Sequence, residues 1–139
     1  MIFRDELELR GTAETDVFDV TDDVAAVLAR SGVREGLAVV FVPGSTGAAT
    51  TIEFEPGVVQ DLKQAVERLA PRGARYAHDA AWGDGNGYAH VRAALLGPSL
   101  AVPVADGRLV LGTWQQLVVI DFDNRPRRRR VVVQIQGES

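Results

Sequence analysis

A chain of 139 residues with 46% hydrophobic and 24% charged positions can bury about two thirds of its unfolded surface in one core, which excludes intrinsic disorder and collagen-like structure. With no cysteine there are no disulfides, thiolate metal sites or cysteine nucleophile, and a formal net charge of -4 speaks against nonspecific nucleic-acid binding, whose strength scales with the phosphates neutralised. The first ten residues lack the apolar core of a signal peptide and no later run reaches membrane-spanning length, so a cytoplasmic protein without membrane or nucleic-acid partners is expected.

In chain order, Phe3 to Arg10 alternates as a half-exposed strand, with an irregularity near Asp5. Thr21 is placed to cap a helix whose first turn carries Asp22 and Asp23 and whose buried stripe is Val24, Val27 and Leu28, ending at Ser31-Gly32. Leu37 to Val42 is an unbroken apolar run, the pattern of a central strand covered on both faces, and the threonine-rich Ala48 to Phe54 reads as its neighbour across a tight connection. Gly57 to Ala70 is the clearest helix, with Val58, Val59, Leu62, Val66 and Leu69 at helical spacing until Pro71 stops it.

The stretch Tyr76 to His90 concentrates the chemistry: both histidines, Asp79, Asp84, Asn86, Trp82 and glycines at 83, 85 and 87. Those glycines predict a shaped loop from Trp82 to Gly87. A short helix follows, with Asn86 as its N-cap, His90 in its first turn, and Tyr88, Val91, Ala94 and Leu95 as its apolar face. Leu100 to Val104 and Leu109 to Leu111 flank Asp106-Gly107, a strong hairpin signal. Trp114 to Phe122 and Arg130 to Gln136 finish the chain as two β-branched strands joined by turn residues Asp123 to Pro126. The sum is an α+β single domain over residues 1 to 139, a mixed, largely antiparallel sheet packed with about three helices.

His78 and His90 form the sharpest candidate site, as catalytic acid–base groups or as metal ligands, because an imidazole both takes and gives protons near neutrality. Asp79 or Glu53 would complete a two-histidine, one-carboxylate site or orient a ring nitrogen. Structural histidines beside Trp82 are the alternative. Pro43-Gly44-Ser45-Thr46-Gly47 offers hydroxyls and amides that can close around an anion, so Ser45 and Thr46 are candidate phosphate contacts, against a plain strand-to-strand turn. No lysine follows Gly47, so this is not a Walker motif. Among Arg125 to Arg130, strand alternation sends Arg128 and Arg130 to one face and Arg127 and Arg129 to the other, which breaks up any nucleic-acid patch and leaves Arg127 or Arg129 to read a phosphate, against a solvated or intersubunit salt-bridge role. Gln115 is a further substrate candidate, and Trp114 is expected to be buried at a strand start.

Tyr76-Ala-His78-Asp79, Asn86, His90, Leu96-Gly97-Pro98-Ser99, Val102-Pro103, Leu111-Gly112-Thr113-Trp114-Gln115 and Arg127 to Val133 together resemble the YjbQ family, the UPF0047 proteins. The resemblance runs from about Leu37 onward. It implies a compact α+β domain assembled as a homotrimer, with a secondary thiamine-phosphate synthase activity attributed to some members. In one respect the sequence departs from the family: where members often read His-Thr-Thr-Ala and later Asn-Glu, it has Gly44-Ser45-Thr46-Gly47 and Ile52-Glu53, losing an imidazole and a carboxamide. Glu53, Asp61, His78, Asp79, Asn86, His90 and Gln115 stay at motif positions. Two functions remain open. One is an enzyme acting on a phosphorylated small molecule through an intersubunit His/acidic pocket, with substrate held by Ser45, Thr46, Asn86, Gln115 and Arg127, and with zinc, manganese or magnesium assisting if pyrophosphate leaves. The other is a non-catalytic trimeric module that binds a metabolite or metal.

Overall fold

A computed structural model describes residues 1–139. Eight strands and four helices follow one another as β1 (Ile2–Gly11), β2 (Asp16–Asp19), α1 (Thr21–Ser31), β3 (Glu35–Phe41), β4 (Gly47–Ile52), α2 (Pro56–Leu69), α3 (Ala77–Trp82), α4 (Gly87–Leu96), β5 (Ser99–Ala105), β6 (Arg108–Leu109), β7 (Gln116–Asp121) and β8 (Arg127–Glu138). All pairings are antiparallel. Five strands form one sheet in the order β1-β8-β3-β5-β6, and three form a second in the order β2-β7-β4. The chain is the α+β domain its pattern predicts, with one short helix, α3, that the pattern does not announce.

The smaller sheet lies in the middle of the molecule. Leu117, Val119 and Ala49 point from one of its faces into a core shared with Ala38, Val40, Val131, Val133 and Ile135 of the larger sheet and Val24, Val27 and Leu28 of α1. From its other face Ala48, Val118, Ile120 and Phe122 meet Val66 of α2 and Tyr88, Ala89 and Ala93 of α4. Coverage on both faces, expected of Leu37 to Val42, therefore belongs to β7, where every residue from Leu117 to Asp121 is buried. β3 is central in its sheet but one-sided: Ala38 and Val40 are buried while Phe41 is exposed. The reason is that β4 does not return beside β3. It crosses to the other sheet and pairs with β7, and α2 and α4 pack on that smaller sheet, not on the outer side of β3.

Helix ends are set by groups the local pattern only partly identifies. Thr21 is the first residue of α1 rather than its cap. Asp19 accepts the Thr21 N–H (3.0 Å) and hydroxyl (2.6 Å), and that hydroxyl in turn accepts the Leu117 N–H (2.9 Å), tying α1 to β7. Glu55 caps α2 through the N–H groups of Gly57 and Val58, which hold its carboxyl below the usual range. On α4 the buried face is Tyr88, Ala89, Arg92 and Ala93, while the expected Val91, Ala94 and Leu95 are exposed. Arg92 turns inward because its Nε donates to the Ala70 carbonyl (3.0 Å) at the end of α2 and its guanidinium also pairs with Glu67. Alanines at 89 and 93 let the helix approach closely. At the β5–β6 turn, Asp106 and Gly107 both adopt positive φ, as the Asp-Gly signal requires.

Candidate functional site

The segment Tyr76 to His90 folds as two short helices joined by a glycine turn. Gly83 ends α3 in the left-handed region, Gly85 repeats that conformation, and Asn124 Nδ2 donates to the Asp84 carbonyl (3.0 Å), fixing the bend. Asn86 occupies the N-cap position of α4, as expected, but its side chain makes no cap bond. Asp79 Oδ1 reaches across from α3 to accept the Gly87 N–H at 2.9 Å. At the other end of α4, the Gly97 carbonyl accepts the Ala49 N–H (3.1 Å) and the Pro98 carbonyl accepts the Val42 N–H (2.8 Å). These bonds clamp α4 beside the Gly44–Gly47 turn.

The clamp brings both histidines together. The rings of His78 and His90 lie 4.4 Å apart between centroids, tilted by 39°. His78 Nδ1 is 3.5 Å from Asp79 Oδ1, too far for a strong hydrogen bond, and has no other partner. His90 also lines a depression of about 240 Å³ with Gly44, Ser45, Gly47, Ala93 and Pro98. Ser45 and His90 thus share one cavity. The imidazoles pack against each other at a tilt, and no three His, Asp or Glu side chains of one chain group around them as ligands.

Behind the turn lies a buried polar network. Thr46 faces inward: its hydroxyl donates to Asp123 Oδ2 (3.1 Å) and accepts from Arg129 (2.6 Å), so it braces the turn from below. Arg127 pairs with the same Asp123 oxygen at 2.8 Å, and Asn86 Nδ2 donates to the other at 3.3 Å. Burial pushes the Asp123 carboxyl up, but the Arg127 guanidinium, the Asn124 N–H, the Asn86 amide and the Thr46 hydroxyl outweigh it and hold the group at about 2. Arg129, only 2% exposed at its side chain, pairs with Asp121 at 2.9 Å. Arg128 and Arg130 stand on the opposite face, bridged to Glu8 and Glu6, a solvated arrangement and not a basic patch.

Glu53 and Gln115 lie elsewhere. Glu53 follows β4 at the end away from Gly47, on the order of 20 Å along the strand. It lines a second depression, of about 420 Å³, with Asp19, Phe54, Glu55, Thr113 and Trp114. Gln115 donates to Thr51 Oγ1 (3.2 Å) and accepts the Gly112 N–H (3.0 Å), pinning the loop before β7 against β4. Trp114, expected at a buried strand start, is 74% exposed because β7 begins only at Gln116. The predicted site residues therefore divide in two within one chain: Ser45 and His90 line one cavity, with His78 packed against His90, Asp79 next to it, and Thr46, Asn86 and Arg127 behind the turn, while Glu53 lines another and Gln115 braces the loop near it. Asp121, Asp123 and Arg129 complete the first cluster. No helix is long and apolar enough to cross a membrane.

Known proteins share this architecture. A solved structure of a YbjQ-like protein of unknown function from Sulfolobus solfataricus P2 superposes with a TM-score of 0.95 at 29% identity, covering 99% of each chain. A hypothetical protein from Aeropyrum pernix K1 does so at 0.90 and 32% identity, covering 97% of this chain and 98% of that one. In sequence, a UPF0047 protein from Archaeoglobus fulgidus is 41% identical over 128 residues, 92% of this chain and 97% of its own. Residues 5–138 match the family described as UPF0047 protein YjbQ-like, and with these relatives the match places the chain in the YjbQ/UPF0047 family.

Proposed function

We propose that this protein acts on a phosphorylated small molecule, with the anionic end in the Gly44–Gly47 depression and the reacting atoms beside His78 and His90. The thiamine-phosphate synthase-type activity that the resemblance implies is a reaction of this kind. The observation that carries the reading is that one ring of the stacked histidine pair and the Ser45 turn line the same cavity. An imidazole there can hand a proton to a leaving group or take one from a nucleophile. Asp79, held by the Gly87 N–H, stands 3.5 Å from His78 Nδ1, the carboxylate nearest the pair.

The pocket is proposed to be completed in a homotrimer. A volume of about 240 Å³ lies below the ~300–1,000 Å³ that encloses a drug-sized ligand, so one chain holds little more than the charged end. Trp82, Val91 and Leu95 are exposed on the helices carrying the histidines, and Phe54 and Trp114 are exposed around Glu53. A head-to-tail contact between these two apolar edges, repeated around a ring, would bring the partner subunit's Glu53 to the histidines. A zinc, manganese or magnesium ion would need ligands from a second copy, and the proton transfers proposed here fall to the two imidazoles alone.

The test is formation of thiamine phosphate by the wild type beside His78→Ala and His90→Ala. Turnover is expected to fall by about 10²–10⁴-fold in each. Activity that survives both changes would belong to a contaminant. Phosphate-ester binding without turnover in the wild type would favour a metabolite-binding module on the same site.

A further inference from the structure

Arg129 has more donors than its surroundings have acceptors. Of the five N–H groups of a guanidinium, the two on one terminal nitrogen are used, by Thr46 Oγ1 at 2.6 Å and Asp121 Oδ1 at 2.9 Å. Nε is buried with no partner. The other terminal nitrogen, NH1, makes no hydrogen bond within the chain; it faces the two glycines of the turn. A Cβ on Gly44 would stand 3.0 Å from NH1, with no other atom within 4 Å; one on Gly47 would meet Val42 Cγ1 at 3.0 Å, Arg129 Cζ at 3.1 Å and NH1 at 3.2 Å, so it is at Gly44 that the approach to NH1 is otherwise open. Both glycines line the depression that holds Ser45 and His90. The absent side chains therefore leave a gap between the guanidinium and that cavity.

A buried charged donor left unpaired costs more than a neutral one, on the order of several kcal/mol. The buried unpaired donor is Nε, while NH1, also without a partner, lies against Gly44 at the wall of the cavity. Asp121 and Thr46 fix the guanidinium by its far nitrogen, so NH1 is positioned before any ligand arrives.

We propose that NH1 of Arg129 is the group that binds the ligand's phosphoryl oxygens, reaching them through the gap left by Gly44 and Gly47. Arg127, paired with Asp123, has no atom within 4 Å of the Gly44 Cβ position and does not reach this gap. The proposal rests on the reading of this cavity as a phosphate site and names its anion-recognition element. The ligand class is a phosphate monoester or inorganic phosphate, which share the same dianionic head.

Calorimetric titration with inorganic phosphate and with ethyl phosphate tests it. Replacing Arg129 outright strands Asp121 in the core and risks unfolding, so the primary variant is Gly44→Ala, whose backbone is not left-handed and whose methyl meets only the tip of Arg129. Gly44→Ala is expected to melt as the wild type does yet bind either ligand about ten- to a hundredfold more weakly, the worth of one charge-assisted hydrogen bond. Arg129→Lys, which keeps the charge but not the fork, is expected to lose affinity similarly. Wild-type affinity in a folded Gly44→Ala protein would overturn the assignment, even if His90→Ala still abolished turnover and so upheld the function proposed above. Absence of phosphate and ester binding by the wild type would overturn both. Tighter binding of the ester than of free phosphate would identify the ester as the occupant and equal binding the bare head; in either case the loss of that affinity in Gly44→Ala is what supports Arg129.

Discussion

Asp123 satisfies more neighbours than any other carboxylate in the molecule. Its two oxygens accept from Thr46, Asn86, Asn124 and Arg127, and the charge is held in place by donors from three separate parts of the chain. Its carboxyl titrates at about 2 in the folded protein, below the ordinary value of 3.8. A group depressed on folding stabilises the fold above its unfolded value and loses that contribution as the pH falls through the folded one. Stability is therefore expected to drop by about 2 kcal/mol between roughly pH 4 and pH 2 on account of this residue. Urea midpoints across that range should show the loss in the wild type; Asp123→Asn should start less stable and show a flatter dependence. In sequence, Asp121 and Asp123 read only as acids near an arginine run. The inward turn of Arg129 was legible from alternation alone, since it keeps step with Val131, Val133 and Ile135, which are core. The stacking of His78 on His90 was not, because it depends on the angle between two helices, the first of which buries no residue.

Among the elements, those written in local chemistry were readable. The α1 and α2 helices and the Asp106-Gly107 hairpin appear where spacing and turn residues put them. Pairings set at long range were not. Nothing in Gly47 to Ile52 says that it joins β7 instead of β3, because that choice depends on residues some seventy positions later in the chain. Nor does a helical period reveal Arg92 as a buried residue when its role is to cap a neighbouring helix. The β3–β8 pair carries its own constraint, with Gly36 directly opposite Gly137. A Cβ on Gly36 would overlap the Gln136 carbonyl, and one on Gly137, at φ +153°, the Glu35 carbonyl. Gly36→Ala is expected to cost roughly 1–3 kcal/mol by forcing the strands apart. Chemical denaturation would measure it, and an unchanged midpoint would mean that the pair yields without strain.

At the scale of the whole molecule, ten large apolar side chains remain on the surface, Trp82 and Leu95 on the helices of the histidine site and Trp114 and Phe54 around Glu53 among them. Isolated exposed apolar residues are ordinary; clusters beside two half-formed depressions mark contact surfaces. The expectation is a particle of three 15.0 kDa chains. Leu95→Glu, which places a charge on one edge without touching either core cluster, should shift the mass measured by light scattering to that of one chain while leaving the circular dichroism spectrum intact.

The strand order of the larger sheet has a consequence for biosynthesis. β8 is made after every other strand, yet it is inserted between β1 and β3 and supplies Val131, Val133 and Ile135 to the interior. On the ribosome, β1 must wait without its only neighbour while some hundred residues are translated, and β3 has β5 alone. Vectorial folding is thereby blocked at the centre of the sheet. A nascent chain stalled before Arg127 should stay sensitive to protease along β1 and bound by chaperones until β8 emerges from the exit tunnel.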